Sequence, residues 1–205
     1  MKQTLDERLA FLEESKQSHF NMVERISGQA VPIRVYAFMV LKRSLSLIFG
    51  FTNMIRNKNF LCAAPLIRLQ IDNLLRFRAA FLVDNQSQFV VDVIQGKTVG
   101  QLEDRFGKHM TDWNLQNKLS NEYPWLKTTY KKASGYIHLS EEHFFNALRA
   151  KENGQEGVVL EAYIGPDDKF VNNDVYQEAL EDMILVTHSL LSFLENWTSE
   201  KIVDS

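Results

Sequence analysis

A chain of 205 residues can bury one good hydrophobic core but is short for two, so a single domain over residues 1–205 is expected. Its one cysteine, Cys62, excludes an internal disulfide framework and a cysteine-rich zinc site, both of which need partners, and fits a reducing, cytoplasmic setting. The net charge of −3 is modest, and nine glycines and four prolines leave little turn material, which favours long helices.

Thr4 can cap a first helix whose opening turn holds Asp6 and Glu7, and the apolar spacing from Leu5 to Ile26 predicts a helix running to Gly28. The same segment alternates charged and apolar residues, unlike a secretory signal, and is expected to stay in the mature protein. Pro32 suits the first turn of a second helix reaching about Asn57. Residues 33 to 51 are apolar enough to suggest a membrane span, but Lys42 and Arg43 fall near the middle, so a buried helix and no membrane partner are expected. A third helix, Phe60 to Val83, is apolar nearly all round and belongs at the centre of a bundle.

Asp84, Asn85 and Ser87 introduce a short helix ending near Gln95, and Gly96 and Gly100 bracket a loop. Thr111 to Leu119 predicts another short helix. Pro124 opens a helix through Ile137, with Leu126, Tyr130, Ala133 and Ile137 facing the core. Ser140 followed by Glu141 and Glu142 predicts a helix ending near Lys151. The β-branched run VVLEAYIG predicts a small β-hairpin near residues 157–171, and Asn173 or Asp174 caps a last helix buried through Val175, Ala179, Met183, Val186, Leu190, Leu194 and Trp197. The fold class is mainly all-α, a bundle of about six to seven helices with a small β insertion.

Charge is segregated along the chain. Between Arg25 and Val83 stand nine basic residues and one acid, Asp72, a balance of +8, against −11 in the remainder. Either basic helices pack against acidic ones within the fold, or the segment presents a face for phosphate or nucleic acid. Arg68 and Asp72 lie four apart on one face of the third helix and can pair, as a structural ion pair or as part of a ligand site, with Arg76 and Arg78 solvated.

A second constellation is YKKASGYIHLS. Tyr130, Ser134 and His138 follow at i, i+4 and i+8 and stack along one helix flank, with Lys127 and Lys131 alongside. His138 could exchange protons near neutral pH, Lys131 could hold a phosphate, and Tyr130 or Ser134 could orient either. The alternative is that His138 and Tyr130 satisfy backbone groups where the helix ends. His138 and His143 are about 140° apart on a helix, and HLSEEH matches no zinc motif, so no metal is expected. Cys62, in FLCAAP, reads as a small hydrophobe. Neither GxGxxG nor GxxxxGK[ST] occurs, and no cofactor is expected.

The order of features from about residue 30 to 195 resembles a family of bacterial helical proteins: a central helix with an arginine and an acid four apart, then YKKASGYIHLS, then a C-terminal helix. Such proteins look like distant relatives of the HEPN domains, many of them RNases or antitoxin-paired toxins in phage defence. The resemblance implies RNA as a partner, a homodimer or partner protein, and catalysis by an Arg and a His separated by four to six residues. Here Lys131 and Lys132 occupy the arginine positions relative to His138, so that motif is not intact. A lysine can neutralise phosphate but lacks the planar bidentate fork.

Three functions remain open: an RNA-directed protein using His138, Lys131 and Arg68; a non-catalytic interaction or scaffold module; and a bundle binding a small ligand. Convergence of Arg68, Asp72, Tyr130 and His138 in an open cleft favours a site, and enclosure within the bundle favours scaffolding.

Overall fold

The computed structural model describes residues 4–137, 147–152 and 158–203. Among these are seven α-helices: α1 (Leu5–Ile26), α2 (Pro32–Arg56), α3 (Phe60–Ala79), α4 (Gln86–Ile94), α5 (Asp112–Leu119), α6 (Leu126–Gly135) and α7 (Asn173–Val203). A 3₁₀ turn spans Val99–Gln101, and strands β1 (Leu148–Glu152) and β2 (Val158–Ala162) form an antiparallel pair. The molecule is thus a mainly helical bundle with a small β element.

α1 begins at a capping box: Thr4 Oγ1 accepts from the Glu7 amide at 3.2 Å while Glu7 Oε2 accepts from the Thr4 amide at 2.7 Å. α3 is central, packed on α2, α5, α6 and α7, and buries Ile67, Ile71, Leu74, Leu75 and Phe77. α7 seals the bundle with Ala179, Met183, Val186, Leu190, Leu194 and Trp197 buried, as its spacing predicts. α2 is long and apolar enough to cross a membrane by length and composition, and 44% of its most apolar window is buried within the bundle. Its Arg43 is ion-paired to Asp72 rather than stranded in an apolar face.

Four boundaries differ from the sequence expectation. α3 stops at Ala79 and not Val83, and Arg105 reaches back to the turn that follows: Nη2 donates to the carbonyls of Phe81 at 2.8 Å and Val83 at 3.2 Å, and Nε to that of Leu82 at 3.2 Å. A distant guanidinium satisfies carbonyls that the helix end leaves without partners. α6 is shorter than expected, and Ile137, expected in the core, lies past its end and is 49% exposed. The helix expected from Ser140 to Lys151 falls largely outside the described residues, but Leu148–Glu152 is strand. There β1 pairs with β2 in the register Leu148↔Ala162, Ala150↔Leu160 and Glu152↔Val158, so the partner of the predicted strand lies before it in the chain. A ladder to Val158 and Val159 suits β-branched neighbours and overrides the local helical signal. The loop after β2 is tied to the bundle by Asp168, whose Oδ2 accepts from the Phe60 amide and the Tyr176 hydroxyl, each at 2.5 Å.

A line of polar groups crosses the core. His19 on α1 is fully buried; its Nδ1 lies 2.8 Å from the Ser15 carbonyl and its Nε2 2.8 Å from Ser44 Oγ on α2. A carbonyl only accepts, so Nδ1 carries the proton and the Ser44 hydroxyl donates to Nε2. Gln70 on α3 donates to Ser44 Oγ at 2.6 Å and to Thr187 Oγ1 on α7 at 3.0 Å, and Asn73 donates to the Val40 carbonyl at 3.1 Å. Four helices are keyed together by groups that would be costly to bury unpaired.

Burial holds the His19 imidazole below its ordinary pKa, against the opposing pull of the Ser15 carbonyl. The unfolded chain therefore binds a proton that the folded chain refuses, and stability is complete above the unfolded pKa of about 6.5 and falls below it. The melting temperature is expected to drop between pH 7 and 5.5 in the wild type and to be flatter in His19→Gln, itself less stable by about 1–3 kcal/mol at pH 7. Parallel pH profiles for the two proteins would exclude His19 as the titrating group.

Candidate nucleic-acid interface

The buried polar line reaches the surface through Arg43, whose Nη1 donates to Asn73 Oδ1 at 3.1 Å and to Asp72 Oδ2 at 2.9 Å. Residues 68, 72 and 76 recur every four positions and share one flank of α3. Arg76 Nε meets Asp72 Oδ1 at 2.9 Å, and Arg76 Nη2 continues to Asp112 Oδ1 on α5. Asp112 Oδ2 accepts from Arg68 Nη2 and from the Tyr130 hydroxyl of α6, both at 2.6 Å. Arg68 also hydrogen-bonds Tyr130 and stacks on its ring, with the guanidinium carbon 3.9 Å from the centroid.

Local sequence explains each position. Thr111 caps α5 by accepting from the Asn114 amide at 3.3 Å, which sets Asp112 at the first helical position, where the amide-rich helix start favours an anion. Burial opposes the charged form of Asp112, but the Tyr130 hydroxyl and the guanidinium groups of Arg76 and Arg68 outweigh it and hold its pKa below the usual carboxylate range. Burial and the bond to Asp112 push the Tyr130 phenol up, so it stays a donor.

Of the sequence-predicted residues, Arg68 and Tyr130 are brought together, but Arg68 and Asp72 do not pair as expected. Asp72 is taken by Arg76, in the acid-before-base order that suits a helix, and by Arg43 from α2, leaving Arg68 to Asp112. Arg76 and Arg78 are not solvated as expected: Arg76 bridges two carboxylates, and Arg78 pairs with Glu122 at 2.5 Å and lies 4.0 Å from the Phe193 ring centre. Ser134 is half-buried on α6 and Lys131 is exposed. Lys132 is turned to α7, 2.6 Å from Glu178 and 3.2 Å from Asp182. His138 and His143 lie outside the described residues. Cys62 is exposed rather than acting as a packed hydrophobe. Among the described residues no group of three or more His, Cys, Asp or Glu could hold a metal.

The ion chain is neither closed nor freely solvated: side-chain exposure is 12% for Arg68, 21% for Asp72, 24% for Arg76, 28% for Asp112 and 40% for Arg43. Beside it a hollow of about 400 Å³ is lined by Tyr36, Met39, Lys42, Arg43, Asn73 and Arg76. Trp113, next to Asp112 in the chain, is 72% exposed. Much of the basic segment is matched internally, since Arg25 meets Glu195 at 3.1 Å and Arg56 meets Glu13. Three arginines against two aspartates leave the chain of ion pairs one charge positive, with exposed Lys42 adding to it.

Asp112 and Trp113 were missed by the sequence reading. Nothing local marks Asp112 except the Thr111 cap, and its arginine partners are more than thirty residues away in the chain. No family model, curated protein or solved structure matches this chain. Arg68→Gln, which removes the charge shared by α3, α5 and α6, is expected to lower stability by about 1–3 kcal/mol, and Tyr130→Phe by about 0.5–1.5 kcal/mol. Urea unfolding measures both; an unchanged midpoint in Arg68→Gln would mean that the ion chain does not hold these helices together.

Proposed function

We propose that the protein binds single-stranded RNA, with phosphates at the Arg43, Arg68 and Arg76 cluster and a base on Trp113. The observation that carries this is the convergence of two guanidinium groups and a phenol from α3 and α6 on a single oxyanion, whose residue is followed in the chain by an exposed tryptophan. Planar guanidinium forks recognise phosphate by paired hydrogen bonds, and aromatic side chains next to a basic groove stack bases without regard to sequence. Lys42, at the rim of the hollow, adds a movable positive charge.

The resemblance to HEPN domains points to RNA from the sequence side and adds cleavage with His138 as the acid or base. Lys131, exposed on the helix that carries Tyr130, is a phosphate contact in that scheme. A second function is supported by a different feature, the outward stripe of α2, where Val35, Phe38, Met39 and Phe49 are 40%, 48%, 57% and 73% exposed. Such a stripe suits pairing with a second copy or a partner protein.

Fluorescence anisotropy with a labelled single-stranded RNA tests binding. Affinity is expected to fall as salt rises, with a log–log slope of about −2 for some three phosphates neutralised. Trp113→Ala is expected to weaken binding about tenfold, within the roughly 1–3 kcal/mol that stacking one base contributes. Absence of binding at low salt would overturn the RNA proposal and leave the interaction module, for which light scattering should then give twice the chain mass. Incubating wild type and His138→Ala with cellular RNA in the absence of metal separates binding from cleavage: fragments lost in the variant mark an RNase, and intact RNA with both marks a binder.

A further inference from the structure

Building on RNA binding at this site, we infer that the Asp112 carboxylate is an internal stand-in for an RNA phosphate, occupying the oxyanion position until a phosphodiester displaces it. One carboxylate oxygen takes Arg68 and Tyr130 and the other takes Arg76. Two oxygens of one anion, held by donors from two helices, form the arrangement that the two non-bridging oxygens of a phosphodiester require.

The carboxylate is also the movable member of the set. Arg68 and Arg76 project from α3, which buries much of the core, whereas Asp112 opens a helix of eight residues anchored by Leu115 and Leu119. The exchange conserves charge, because a phosphodiester carries one negative charge, as the carboxylate does. Asp72 remains in place on α3 and continues to balance Arg43 and Arg76 after Asp112 leaves. Arg76 Nη1 is buried without a hydrogen-bond partner among the described residues, a spare donor beside the exchanged position.

The consequence is that Asp112 competes with ligand and keeps the site weak toward phosphate-bearing molecules that make no other contact. RNA, with neighbouring phosphates and a base for Trp113, gains contacts that inorganic phosphate lacks.

The test compares wild type, Asp112→Asn and the double variant Asp112→Asn with Arg68→Gln. The probes are a labelled 12-nucleotide single-stranded RNA, read by anisotropy, and inorganic phosphate, read by its effect on melting temperature. Asp112→Asn should bind RNA at least tenfold more tightly than wild type and be raised in melting temperature more by phosphate, and the double variant should lose both gains. A folded Asp112→Asn that gains toward neither probe overturns the inference. A gain toward phosphate without any RNA binding in either protein keeps the internal anion and sinks RNA as the ligand. In the wild type, the side-chain carboxyl carbon resonance of Asp112 should shift on saturation with RNA; a fixed resonance while RNA binds elsewhere overturns the inference even if Asp112→Asn does not fold.

Discussion

The arrangement of α3, α5 and α6 depends on one half-buried carboxylate. Without Asp112, Arg68 and Arg76 would face each other across a few ångströms of low-polarity surface, and the Tyr130 hydroxyl would lose the acceptor that its geometry serves. At 12–28% side-chain exposure solvent screens part of that repulsion, and the loss is about 1–3 kcal/mol. The position of α5 is therefore set as much by electrostatic need on α3 as by the burial of Leu115 and Leu119.

That carboxylate is the outer end of a polar line that begins at His19. Ser44, Gln70 and Asn73 pass it through the core to Arg43, and Asp72 and Arg76 carry it to the surface. Each member satisfies its neighbour, so the line specifies helix register in a way that interchangeable apolar contacts do not. A phosphate site at its outer end would be held by side chains whose rotamers are already locked, the condition under which guanidinium groups recognise an anion with little loss of conformational freedom.

The arginines of the basic segment fall into two sets. Arg25, Arg56 and Arg78 find acidic partners on other helices or loops and act as internal complementarity. The arginines on the shared flank of α2 and α3 are different: they outnumber the carboxylates between them, Arg43 and Arg76 border a hollow, and all three remain partly open to solvent. The basic segment is thus divided between arginines paired one to one with acids on other elements and a cluster of three that shares two aspartates.

Helix content, the boundaries of α1, α2 and α5, the central place of α3 and the core stripe of α7 were legible in the sequence, because apolar periodicity and caps such as Thr4, Pro32 and Thr111 act within a few residues. Arg68 and Tyr130 stood out for the same reason, as polar residues on otherwise apolar helical flanks. What local pattern could not decide was who meets whom. The turn after α3 is held by Arg105 from a later loop, Leu148–Glu152 becomes strand by pairing with β2, and the partner of Arg68 is an aspartate on another helix. Those outcomes turn on contacts between segments distant in sequence, where no periodicity reports on distance. The sequence alone determined where most helices form and which of their flanks are apolar, because those signals are local; the tertiary structure decided which polar residues pair, and with whom, because that depends on distances between separate segments.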